Sequence, residues 1–105
     1  MAAYRSTPVF DEITLPAALR ADHRTKAGTW GVITVLEGEL CLTYSGGAEP
    51  LVLSPVRPGL IRPEETHFVT LKGAMRMRVD FHDSEPDMAA LTRAASIAPP
   101  SDISP

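Results

Sequence analysis

The sequence predicts an all-β protein built from many short strands and closed by one C-terminal helix, and three observations carry that expectation. Ten prolines and seven glycines in 105 residues supply frequent turns and leave little room for helix. Thr29 to Leu36 reads T-W-G-V-I-T-V-L, a β-branched and aromatic run too short for a helix. Ala74 to His82 alternates Met75, Met77, Val79 and Phe81 with Arg76, Arg78, Asp80 and His82, the pattern of a strand buried on one face only. A chain of 105 residues makes one domain with a modest core. Closure into a barrel, or a homodimer formed through an edge strand or the N-terminal arm, is the expected way to cover the strand edges.

Met1 to Thr7 is a polar lead-in. Pro8-Val9-Phe10, followed by Asp11 to Leu15, reads as an edge strand or extended arm. Leu15 to Leu19 suits one helical turn, with Pro16 at the first position, where a missing N–H costs nothing. Asp22 to Lys26 is poor in apolar residues and reads as a loop or strand end, and Gly28 allows a tight turn before Trp30, expected as a core or wall aromatic. Thr29–Leu36 and Glu39–Tyr44 form a hairpin turned at Glu37-Gly38. Cys41 falls in that return strand as a buried, inert thiol, and a single cysteine excludes an internal disulfide and fits a reducing compartment.

Ser45 to Pro50 is a loop, Leu51-Val52-Leu53 a strand stopped by Ser54-Pro55, and Val56 to Gly59 a further turn. Leu60-Ile61 then turns through Arg62-Pro63-Glu64-Glu65-Thr66 into His67-Phe68-Val69-Thr70-Leu71, and Lys72-Gly73 turns the chain into the last strand. Ser84-Glu85-Pro86-Asp87 has the form of a capping box opening a helix over Glu85–Ala95. The chain thus divides into a β-barrel over 1–83, a helix within 84–96 and a disordered tail over 97–105.

A formal charge of −3 and a pI near 5.5, with the basic residues scattered, argue against nucleic-acid binding. No stretch approaches the run of about eighteen apolar residues a membrane span needs, and the N-terminus has no apolar signal core, so a cytoplasmic location is expected. No Ser-His-Asp or Cys-His nucleophile set and no glycine-rich phosphate loop can be picked out.

Three stretches carry a family resemblance. Gly59-Leu60-Ile61-Arg62-Pro63-Glu64-Glu65-Thr66-His67, followed by β-branched and aromatic residues, resembles the second motif of the cupin superfamily, and Val35-Leu36-Glu37-Gly38-Glu39-Leu40 resembles the end of the first. His23-Arg24-Thr25-Lys26-Ala27-Gly28-Thr29-Trp30 resembles one subfamily in particular, the N-terminal, non-methyltransferase domain of tellurite-resistance protein B and its stand-alone bacterial relatives. The resemblance spans roughly Ser6 to Asp83 and implies a cupin-like double-stranded β-helix, or jelly-roll, barrel of about eight to ten short strands.

It also implies one divalent metal at the barrel mouth, zinc first, with iron, nickel or manganese as alternatives. His23, His67 and His82 each end a predicted strand, and Asp80 shares a face with His82. His23, His67 and Asp80 make a two-histidine, one-carboxylate set, with His82 as a third imidazole or as a supporting neighbour. The alternation alone sends Asp80 and His82 to solvent, whereas the resemblance turns that face to a cavity mouth. Arg76 and Arg78 share the face and can pair with Asp80. The chain departs from the cupin pattern in offering only His23 where H-x-H and a glutamate are usual, which leaves open positions on the metal for a small-molecule or anion ligand. Three functions follow as expectations: a metal-binding cupin with an oxyanion or stress-response role, a metal-dependent dioxygenase or isomerase, and a metal-free small-molecule-binding or sensor module.

Overall fold

The computed structural model describes residues 5–46 and 49–97; the expected tail beyond 97, the first four residues of the lead-in and Gly47-Ala48 of the loop lie outside the described residues. The strands are β1 (Arg5–Ser6), β2 (Phe10–Asp11), β3 (Trp30–Tyr44), β4 (Leu51–Leu53), β5 (Gly59–Ile61) and β6 (His67–His82), with a 3-10 turn at Ala17–Arg20 and one helix, α1 (Met88–Ile97). The all-β expectation holds. Six described strands form one antiparallel sheet along the path β1-β6-β3-β4, with β2 also on β6 and β5 also on β3, and that path does not close on itself.

Two expected turns are not turns. Glu37-Gly38 lies inside a continuous 15-residue β3, and Lys72-Gly73 inside a continuous 16-residue β6. The two strands pair along their whole length, from Trp30↔His82 to Tyr44↔His67, with register shifts between Val35 and Glu37 and between Gly38 and Leu40. Glycines that supply positive φ serve a bulge as readily as a turn, and local composition does not distinguish the two. Here the backbone at Gly38 has φ +74°, and a Cβ on it would sit 2.3 Å from the Ala74 carbonyl oxygen, so only glycine admits this approach of the two strands.

The bulges have a packing consequence. While Val32 is buried on the opposite face, the β3 side chains in the core cluster are Ile33 and Val35 before the irregularity and Leu40, Leu42 and Tyr44 after it, a change from odd to even positions. Without it, the second half of the strand would turn its apolar side chains to solvent. On β6, where three residues stand against one, Val69, Met75, Met77 and Val79 keep the same parity. Both halves of the ribbon therefore bury into one cluster, joined by Leu53 of β4, Ile61 of β5 and Leu15. Cys41, between Leu40 and Leu42, faces the other way and is half-buried, not buried as expected.

The N-terminal arm docks as two short pairings on β6, Arg5↔Phe81 and Phe10↔Met77. Asp11 closes the turn after it by accepting from the Ile13 and Thr14 amides at 2.8 Å, and these bonds hold its carboxyl below the usual carboxylate range. The helix begins three residues later than expected. Asp87 accepts from the Ala90 amide at 3.0 Å, a capping bond at the helix start. Pro86 disfavours helical geometry at Glu85, which accounts for the later start.

Candidate functional site

His23 and His67 are brought together by backbone pairing. They exchange two hydrogen bonds, His23 N–H to the His67 carbonyl at 3.0 Å and His67 N–H to the His23 carbonyl at 2.9 Å, as a closely spaced antiparallel pair does. The segment is pinned a second time where the Glu64 amide donates to the Thr25 carbonyl at 3.0 Å and Thr25 Oγ1 to the Thr29 carbonyl at 2.8 Å. Glu64 reaches this position with φ +63°, an unusual value for a side chain bearing a Cβ. Directly opposed residues of an antiparallel pair project to one side, so the imidazoles meet with ring centroids 4.2 Å apart. Across β3, Tyr44 is in register with His67 and its ring lies 6.4 Å away. The site is thus a three-residue rung, His23–His67–Tyr44.

Each imidazole is oriented through Nδ1. Because a carbonyl only accepts, His67 Nδ1–H donates to Glu65 O at 2.8 Å and His23 Nδ1–H to Ala21 O at 3.2 Å. That leaves Nε2 of each ring as the lone-pair nitrogen. His67 is 0% exposed, and its Nε2 is buried with no partner among the described residues. Burial pushes the His67 imidazole below its ordinary value; the Glu65 carbonyl opposes this, and the neighbouring His23 reinforces it. Tyr44 donates its hydroxyl to the Leu60 carbonyl, and burial raises its pKa against the pull of Arg62, whose guanidinium lies 5.7 Å from the ring.

Asp80 and His82 lie elsewhere. They alternate with the inward residues of β6 and share the outer face of the ribbon with Thr34 and Val32. Asp80 accepts from three donors: Ser6 Oγ at 2.7 Å, Arg78 Nε at 2.9 Å and Thr34 Oγ1 at 3.0 Å. Burial pushes its carboxyl up, but the bonds from Ser6, Arg78 and Thr34 outweigh that and hold it below the usual carboxylate range. The expected pairing with Arg78 is present, while Arg76 turns to Glu37 at 3.6 Å. His82 is buried at 6% exposure, where the alternation had sent it to solvent. Among the described residues no three His, Cys, Asp or Glu side chains converge as a metal-holding group, so the four-residue set is divided between two places.

Tyr44 is the neighbour that sequence reasoning missed. It read only as the end of a return strand, and its register opposite His67 depends on the long-range pairing of β3 with β6.

The chain is thus a small β module, one antiparallel sheet that carries a paired-imidazole rung. The chain belongs to the TehB-like domain family, whose model matches residues 5–79. Two curated proteins from strains of Haemophilus influenzae, each described as a probable S-adenosyl-L-methionine-dependent methyltransferase TehB, are 46% and 43% identical to it over 37 residues. Those matches take in 35% of this chain but only 13% of the relatives' length. The crystal structure of TehB from Haemophilus influenzae superposes with a TM-score of 0.67 at 24% identity, covering 93% of this chain and 40% of that one. A crystal structure of an Escherichia coli protein gives a TM-score of 0.69 at 19% identity, covering 75% of this chain and 86% of that one. These two superpositions speak for the fold alone.

Proposed function

We propose that this TehB-like domain is a cupin-type binding module that holds one divalent transition-metal ion on His23 and His67. The observation that carries the reading is the buried, unpartnered Nε2 of His67 beside a second imidazole. An unpaired buried nitrogen costs about 1–3 kcal/mol, so its retention asks for a partner, and a divalent ion is one that two neutral imidazoles suit. The donor set fits in its chemistry: both rings are fixed through Nδ1–H on backbone carbonyls, the arrangement that orients histidine ligands and makes them more basic. Burial keeps His67 neutral, the form that ligates.

Two protein ligands leave the remaining positions to water or a small ligand, and nitrogen ligands alone place zinc ahead of manganese. When bound, the ion supplies Lewis acidity. Tyr44 and Arg62 flank the rung and would orient what approaches it. Asp80 is not drawn on here, since it lies on the other face of the ribbon from the rung and already accepts three hydrogen bonds.

The test is elemental analysis of untagged protein with His23→Ala and His67→Ala variants. The expected result is about one equivalent of one metal in the wild type, lost from both variants. Protein that carries no metal and takes up no zinc at neutral pH refutes the reading.

A further inference from the structure

A cavity of about 400 Å³ lies between the outer face of the β3–β6 ribbon and α1, and it shares no lining residue with the histidine rung. Its size suits a small ligand. We propose that this cavity is a second binding site, for a small organic carboxylate with an apolar body.

The argument starts from what the polar wall has left to offer. Arg78, Asp80 and His82 alternate along one face of β6, and Val32 and Thr34 stand opposite Asp80 and Arg78 on β3. The Asp80 carboxylate is already engaged by Ser6, Thr34 and Arg78, so a cation entering the cavity finds it neutralised. Arg78 spends only its Nε on Asp80, at 2.9 Å, and its side chain is 38% exposed. That bond fixes the guanidinium plane, and the two terminal Nη groups have no ion-pair partner among the described residues. A forked pair of donors in a fixed plane matches a carboxylate.

His82 gives the second, independent observation. It lines the cavity at 6% exposure, and its Nδ1 is buried without a partner among the described residues. A ligand oxygen accepting from Nδ1–H, reached as the ring turns toward the cavity, would satisfy it. The rest of the wall is apolar, from Val32 and Val35 on the sheet, Pro55 and Pro58 on the connection between β4 and β5, and Leu91 and Ala95 of α1. The ligand chemistry follows: an anionic end for Arg78 and His82, and an uncharged body against proline, valine and leucine.

The probe is benzoate, with benzyl alcohol as its neutral counterpart, titrated into the full chain and followed by backbone-amide NMR in the presence of EDTA. Benzoate should bind saturably at about 1 mM or tighter, shifting the amides of Val32, Thr34, Asp80 and His82. Arg78→Gln should weaken it at least about tenfold by removing the charged fork. Leu91→Trp fills the cavity from the helix side without changing any residue of the sheet and should abolish binding. Benzyl alcohol binding as tightly as benzoate, shifts centred on His23 and His67, no saturable binding of benzoate, or indifference to both substitutions would each overturn the assignment. Because the titration is run without metal, failure of the two-histidine reading leaves this result standing.

Discussion

Acidification should destabilise the fold through His67, and the burial of that side chain sets the sign. The side chain is 0% exposed, its Nδ1–H is committed to Glu65 O, and a second proton must enter at the buried Nε2, beside His23. Burial therefore holds the folded-state pKa below the unfolded value of about 6.5. A group shifted in this direction contributes its stabilisation in full above the unfolded value, and that contribution is lost as pH falls through the folded one. One such group changes stability with a slope of at most about 1.4 kcal/mol per pH unit, reached only where the unfolded chain is protonated and the folded chain is not. Urea unfolding of the wild type and His67→Asn between about pH 7.5 and pH 5 isolates the effect, because asparagine keeps a donor near the Nδ1 position and does not titrate. The stability of the wild type relative to the variant should fall as pH falls through that range, no more steeply than that slope. A difference that stays constant would refute the reasoning, since it would mean that His67 accepts its second proton as readily folded as unfolded.

Gly38→Ala should cost at least about 2 kcal/mol, from positive φ together with the contact against Ala74, whereas Gly28→Ala, with φ +79° and nothing within 4 Å, should lose only the backbone part, about 1–2 kcal/mol. Denaturation midpoints compare the two, and equal losses would disprove the close approach of the strands. Asp80→Ala should cost about 2–3 kcal/mol by stripping Ser6, Thr34 and Arg78 of their shared acceptor. Because the Asp80 pKa is lowered, its contribution is present above about pH 3.9 and lost as pH falls further, so the variant's thermal midpoint should depend less on pH in that acid range than the wild type's.

The contrast between the two predicted strand patterns shows how local reading succeeds and fails. Alternation over Ala74–His82 places Met75, Met77 and Val79 inward, and all three are buried. The same alternation sends His82 outward, which is correct for the sheet face but silent about α1, whose Leu91 and Ala95 roof that face. Glu37-Gly38 and Lys72-Gly73 have the composition of turns and act as bulges. What keeps the chain going straight is a partner strand more than thirty residues away in sequence.

Local sequence was enough for the all-β class, the burial of the methionine face and the helix near the C-terminus, and it drew attention to His23 and His67 as candidate ligands. These follow from periodicity, turn chemistry and a local motif, all properties of neighbouring residues. Only the tertiary structure decided that the four candidate ligands fall into two groups. His23 joins His67 because two backbone hydrogen bonds set them opposite one another, whereas Asp80 and His82 lie on the other side of a pleated ribbon whose register is fixed over thirteen residue pairs. Which face a side chain takes depends on parity through a bulge, and parity is settled by pairing and core burial together.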